Sequence, residues 1–203
     1  MLPESSIKEY WRKRSEAQGA LTVGYGGHNA SQQAQEYTKK ISFVRPFLNP
    51  ALKTLDYGCG VGRWSHLFPS YLGVDITENL LHIARRENPT KNFQLLENPF
   101  LISLLELNGG KFEQFFTSTV LQHCALKVVQ KLFYNLSQHY SAPFTMVLYE
   151  NSKVQSQHVQ GRSPLEYKDL IANFFTTGAF QQASHVVHGE EHGVLKIRAE
   201  APK

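Results

Sequence analysis

Apolar residues along this chain fall into two recurring patterns: short continuous runs rich in β-branched and aromatic side chains, and longer stretches in which they return every three or four positions. The first pattern predicts buried strands and the second predicts helices with one apolar stripe. Lys53 to Tyr57, Tyr71 to Asp75, Phe93 to Leu96, Phe112 to Thr117 and Phe144 to Tyr149 read as strands. Ala183 to His188 and Val194 to Ala199, joined by Gly189 to Gly193, read as a closing hairpin. Ser6-Ile7-Lys8-Glu9 fits a capping box, so a first helix is expected to begin near Ile7 and to end by Gly19. A second runs from Ser31 to Phe47, with Ala34, Tyr37, Ile41, Val44 and Leu48 as its stripe, until Pro46 and Pro50 close it. Further helices are expected over Trp64 to Phe68, from Thr77 to before Pro89, over Val128 to Tyr140 and over Leu165 to Phe175.

Length and composition narrow this picture. At 203 residues the chain suits a single compact unit. Hydrophobic residues at 41% and charged residues at 19% are globular values, and no segment approaches the ~20 apolar residues of a membrane span. The opening MLPESSIKEYWRKRSE is too polar for a secretory signal and too acidic for a transit peptide, so a cytoplasmic protein is expected. Cys59 and Cys124 make no metal-ligand pattern, and a thiol in the glycine loop suits a reducing compartment. The net charge of +4 permits an anionic partner. Lys8, Arg12, Lys13 and Arg14 can track phosphates; they are read instead as the wet face of a helix that buries Ile7, Tyr10 and Trp11.

The chemistry concentrates in TLDYGCGVGRWS, Thr54 to Ser65. Gly58, Gly60 and Gly62 follow the end of a strand, where missing Cβ atoms and tolerance of positive φ let a ligand approach the backbone. A dinucleotide fingerprint requires glycine at Arg63, and a phosphate-binding P-loop requires Lys then Ser or Thr after the last glycine; both are absent. The second strand ends in Gly73-Val74-Asp75-Ile76. In a doubly wound sheet that end lies beside the first loop, where the Asp75 carboxylate can accept both hydroxyls of a ribose.

The LDYGCGVGRWS and GVDIT runs resemble motif I and the following acidic motif of class I S-adenosylmethionine (SAM) dependent methyltransferases. The resemblance extends in element order from Leu52 onward and implies an α/β fold: a Rossmann-like, seven-stranded, mostly parallel sheet with an antiparallel C-terminal hairpin and an N-terminal helical cap. It implies SAM as cofactor, S-adenosylhomocysteine (SAH) as product, and methyl transfer to an oxygen or nitrogen of a small-molecule acceptor. Asp56, Gly58, Cys59, Gly60, Gly62, Asp75, Ile76 and Ser118 are then expected at the cofactor, with Glu97 or Asn98 against the adenine amino group. Cys59 is expected to fill space, and Asp56 to orient the loop through backbone hydrogen bonds or a water. The run Glu97-Asn98-Pro99-Phe100 imitates an N-P-P-F signature but has one proline and follows the wrong strand.

Acid–base candidates lie at the carboxyl edge of the fourth and fifth strands. His123 can serve as a base, cap a helix or stack on the cofactor; Glu150 is a second acid or base. By the resemblance, Tyr25 and His28 become lid residues, with a plain linker as the alternative. In the loop from Ser152 to Ser163, His158 and Arg162 are available to meet an anion. His185 and His188 fall on opposite faces of a strand, so no metal site is expected from them and His192. Three rival readings stand beside small-molecule methylation: an RNA or protein acceptor, allowed by the basic balance but not favoured; other SAM-dependent chemistry; and a silent SAM-fold partner subunit. No membrane partner is expected, and the oligomeric state is left open.

Overall fold

Alternation of side chains along each strand decides how this chain folds around its sheet. The structure, a computed structural model, describes residues 4–23, 29–97, 112–139, 143–156 and 159–203. Its strands are β1 (Thr54–Tyr57), β2 (Tyr71–Asp75), β3 (Asn92–Leu95), β4 (Gln114–Ser118), β5 (Phe144–Asn151), β6 (Phe175–Val187) and β7 (Glu190–Pro202). They form one seven-stranded sheet in the order β3-β2-β1-β4-β5-β7-β6. The β1 to β5 pairings are parallel, and β7 runs antiparallel to both β5 and β6. The expected architecture, mostly parallel with an antiparallel C-terminal hairpin, is therefore the observed one. Strand order reverses between β2–β1 and β4, which is where open α/β sheets hold ligands.

Leu55, Tyr57, Phe115, Met146, Leu148, Leu195 and Ile197 join one buried cluster with Val129, Leu132, Phe133 and Leu136 of α4 (Leu126–His139) and with Tyr167 and Ile171 of α5 (Pro164–Ala172). The alternate positions Phe116, Val147, Tyr149 and Val194 join a second cluster with Trp64, Phe68 and Val44 of α2 (Ala30–Val44), against which Tyr37 and Ile41 also pack. Fully burying such a side chain contributes roughly 1.5–3 kcal/mol, so these interlocking layers hold the sheet between helices.

The boundaries differ instructively in three places. Helix α1 (Glu4–Gln18) already includes the box at Ser6–Glu9, and Glu9 reaches forward to Arg12, 2.7 Å away, rather than back to a cap. Helix α2 starts from a different box, with Asn29 and Gln32 satisfying each other's backbone N–H groups. The closing hairpin is much longer than read: His188 (φ 50°) and Gly189 (φ 77°) make a two-residue turn with both residues left-handed, so Glu190 to Gly193 are strand rather than loop. His192 accordingly pairs across the ladders with His185 and Asn151. No helix among the described residues is long and apolar enough to cross a membrane.

Candidate active site

Strand β1 is buried along its whole length, and the chain leaves it through the glycine loop directly above β2. Gly58 and Cys59 both donate their N–H groups to the Val74 carbonyl, at 2.8 and 3.0 Å. Gly58, Gly60 and Gly62 have φ of 74°, 55° and 73°. A Cβ at Gly58 would lie 2.4 Å from a Val120 methyl, and one at Gly62 would lie 2.7 Å from the Phe93 ring. Gly58 thus admits the next loop, whereas Gly62 backs onto the core. Asp75, at the tip of β2, accepts the Gly60 N–H on Oδ2 and the Thr77 N–H on Oδ1, both at 2.9 Å. Burial raises its pKa, opposed by hydrogen bonds from the Gly60, Thr77 and Ile76 N–H groups and the Thr77 hydroxyl.

Asp56 differs from its expected role. Its carboxylate accepts the Tyr71 hydroxyl at 2.7 Å, and the loop N–H held by a carboxylate is that of Gly60, bonded to Asp75. Burial pushes Asp56 up to about 7, with the Tyr71 bond opposing and the Asp75 charge adding. The folded value stands above the ordinary carboxyl range near ~4, so the stability this group contributes is present below about pH 4 and lost as pH rises through about 7. Thermal denaturation of the ligand-free protein from pH 5 to 8 should therefore show a falling Tm. Asp56→Asn, which can still accept from Tyr71, should make that slope shallower, with the part due to Glu150, raised likewise to about 7, remaining.

The β4 edge is held from behind. Thr119 turns the chain with φ 58°, and a single 3-10 turn, Leu121–His123, follows. Glu150, only 1% exposed, accepts the N–H groups of Val120 (3.2 Å) and Leu121 (3.1 Å) on Oε1 and that of Gln122 (3.1 Å) on Oε2. Burial raises it to about 7 against these three bonds and the charge of Arg162. Glu150 is thus no acid or base facing a ligand; it organises the turn that carries His123. Arg162 is likewise committed, donating to the carbonyls of Leu121 (3.1 Å) and Cys124 (3.0 Å) rather than standing available to an anion. His158 lies outside the described residues. Glu150→Ala would strand three N–H groups and should cost about 3 kcal/mol or more in urea denaturation, with Glu150→Gln costing less because one acceptor oxygen survives.

These elements enclose a cavity of about 370 Å³. Asp56, Gly58, Cys59, Gly60, Asp75, Ile76, Ser118 and His123 line it, as do the apolar Leu80, Leu96 and Val128. Burial raises the Cys59 thiol well above its ordinary range, which suits a packing role. His123 is half-buried, its ring edge-on to Trp11 with centroids 5.1 Å apart. Glu97 is exposed, its carbonyl 3.4 Å from Lys8 Nζ, and Leu96 rather than Glu97 borders the cavity. Asn98, Tyr25 and His28 lie outside the described residues.

The far wall was not anticipated. Gln33, Glu36, Tyr37 and Lys40 of α2, Trp11 and Arg14 of α1, Arg63, and Glu190 and His192 of the hairpin line it. The signal was a polar stripe at 33, 36 and 40, beside the apolar one and at the same helical spacing. Ala34, assigned to the apolar stripe, is exposed. Arg63 donates to Gln33 Oε1 (2.8 Å) and the Ala20 carbonyl (3.3 Å), and its own carbonyl accepts the Tyr37 hydroxyl. His192 is buried against Tyr149, centroids 5.5 Å apart, and burial followed by the charge of Lys40 lowers it to about 4. Among the described residues, no three metal-ligating side chains converge.

Residues 55–139 match the family model described as a methyltransferase domain. No curated protein sequence matches the chain. Among solved structures, magnesium protoporphyrin IX methyltransferase (ChlM) from Synechocystis PCC 6803 with bound SAH superposes with a TM-score of 0.70 at 16% identity, covering 98% of this chain and 100% of that one. Haemonchus contortus phosphoethanolamine N-methyltransferase 1, in complex with phosphoethanolamine and SAH, gives 0.72 at 14% identity, over 98% of this chain and 49% of that one. Residues 55–139 thus match a methyltransferase domain, and the fold is the one in which these solved methyltransferases hold SAM or SAH.

Proposed function

We propose that this protein transfers the methyl group of SAM to an oxygen or nitrogen of a small molecule. The observation that carries the reading is the cavity itself, which joins the glycine loop and Asp75 to a polar far wall within about 370 Å³, a volume suited to small ligands. The residues fit the cofactor: Asp75 stands at the cavity beside the glycine loop, where a ribose can meet its carboxylate, and Ile76, Leu80 and Leu96 offer an apolar slot for a base. SAM supplies a sulfonium methyl that an acceptor lone pair can displace in line. The chain's part is to orient and to exclude water, which can supply on the order of 7–11 kcal/mol. Within that division of labour, residues 51–203 hold the cofactor and residues 1–50 close the acceptor end. His123 and His192 border the cavity and are the candidates to take a proton from the acceptor; burial keeps His192 neutral at pH 7.

The relatives' names favour a small acceptor: one acts on magnesium protoporphyrin IX, and another was solved with phosphoethanolamine. The basic face of α1 gives little support to an RNA acceptor, because Arg12 pairs with Glu9 and Glu16, and Lys13 with Glu9. Arg14 leaves that face altogether, bonding the Tyr10 hydroxyl at 3.0 Å and bordering the cavity. Incubation with methyl-labelled SAM and a panel of small acids, amines and phenols, alongside total RNA, tests the reading. Label is expected in a small molecule; label only in RNA, with acceptor binding steeply weakened by salt, would contradict it.

A further inference from the structure

We propose that the outer edge of β6 pairs with the same edge of a second copy of this chain, antiparallel about a two-fold axis, to make a dimer whose sheet runs through both subunits. β6 is the last strand of the sheet, and among the described residues no strand pairs with its outer side. An edge strand presents a row of backbone N–H and C=O groups able to receive another strand, and proteins ordinarily blunt such edges with charge, proline or short length. β6 has none of these. Over its 13 residues, FTTGAFQQASHVV, there is no Asp, Glu, Lys, Arg or Pro. Its neighbour β7, paired on both sides, carries Glu190, Glu191, Lys196, Arg198 and Glu200. The charges thus sit on the strand that needs no protection. Register shifts in β6 are confined to the stretch between Thr176 and Phe180, and from Phe180 to Val187 its ladder with β7 is continuous.

That continuous stretch is also complementary to itself. Side chains alternate along a strand, so Phe180, Gln182, Ser184 and Val186 share one face. All four are exposed, Phe180 by 42% and Val186 by 68%, with Lys168 Nζ of α5 4.7 Å from the Phe180 ring centroid. A two-fold axis at Ala183 sets Phe180 opposite Val186 of the partner subunit and Gln182 opposite Ser184 of the partner subunit. Exposed apolar side chains then cover each other, amide meets hydroxyl, and no like charges on the paired strands are opposed. This pattern is what makes a second copy the strand that fits, and an isologous pairing closes, leaving neither β6 edge open. The other face of β6 is already fixed within its own subunit. His185 stacks on Phe43 of α2, centroids 3.7 Å apart, and its Nε2 lies 2.9 Å from the Tyr149 hydroxyl. Ala183 packs against the cluster that holds Val147, Tyr149 and Val194. Burial lowers the His185 pKa, with the Lys40 charge adding, which keeps the strand uncharged at neutral pH. A strand fixed in this way loses little conformational entropy when a second one adds to it.

The test is sedimentation velocity of the full chain from about 1 to 100 µM, with thermal denaturation to establish that each variant is folded. A dimer that dissociates on dilution is expected of the wild type. Val186→Lys sets a charge opposite Phe180 of the partner subunit, beside Lys168 of the partner subunit, and should weaken the dimer about tenfold or more at an unchanged Tm. Val186→Thr keeps the β-branch without the charge and should stay close to wild type. Register is read by disulfide crosslinking, with the wild type, whose Cys59 is buried and Cys124 half-buried, as background. Gln182→Cys mixed with Ser184→Cys is expected to form a crosslinked dimer, since directly opposed residues lie about 4.5–5.5 Å apart at Cα, within disulfide reach. Either variant alone should crosslink poorly, because the two-fold axis sets like residues on a diagonal, about 7–8 Å apart. Wild type that sediments as a monomer throughout, a Val186→Lys dimer as tight as the wild type's, or crosslinking as strong in each variant alone as in the mixture would overturn the proposal.

Discussion

Asp75→Ala is expected to weaken SAH binding by about 2–3 kcal/mol, roughly 30- to 150-fold, because hydrogen bonds to a charged group are each worth about 1.5–3 kcal/mol. Asp75 has two functions that the substitution removes together. On the loop side it holds the N–H groups of Gly60 and Thr77, each at 2.9 Å, which fixes the glycine loop against the start of α3 (Glu78–Glu87). On the cavity side, where Asp75 lines the wall, the proposed role of its carboxylate is to receive the ribose. SAH and its 2′-deoxy counterpart separate the two functions when both are titrated calorimetrically. If Asp75 receives the ribose, the deoxy ligand binds more weakly than SAH to the wild type, and the difference shrinks in Asp75→Ala. A deoxy penalty that is the same in both proteins would assign the ribose to another residue.

Gly58→Ala is expected to damage both stability and the site. The residue has φ 74°, where an L side chain costs about 1–2 kcal/mol, and the new Cβ would lie 2.4 and 2.7 Å from the two Val120 methyls. Val120 has little freedom to retreat, because its own N–H is bonded to the buried Glu150 carboxylate. The displacement therefore passes into the turn carrying His123. Urea denaturation is expected to show a loss of about 2–4 kcal/mol, strain and overpacking together, with SAH binding lost alongside. Gly189→Ala is the control: φ is 77°, yet nothing lies within 4 Å of the added Cβ, so the cost should be about 1–2 kcal/mol of strain alone. Equal losses in the two variants would mean that the Val120 contact contributes nothing.

Short apolar runs made the sheet legible in the sequence, and the glycine spacing and Asp75 pointed to the cavity that Gly58, Gly60 and Asp75 line, because each is a local signal. The far wall was less so. On α2 the apolar stripe masked the polar one, and nothing local says that Gln33, Glu36 and Lys40 face a cavity; that depends on where the helix packs across Trp64 and Phe116. Glu150 looked catalytic from its place at a strand end, but its partners are three N–H groups roughly thirty residues away along the chain, a relation that only the fold creates. His192 lay in a polar run resembling a loop until the two-residue turn at His188 and Gly189 drew it into β7.

Calorimetric titration of SAH into the unmodified protein tests the central claim most directly. One SAH per chain, bound saturably and raising the Tm as a ligand of the folded state must, is the predicted result. Folded protein that shows neither heat of binding nor a shift in Tm at millimolar SAH would contradict the account.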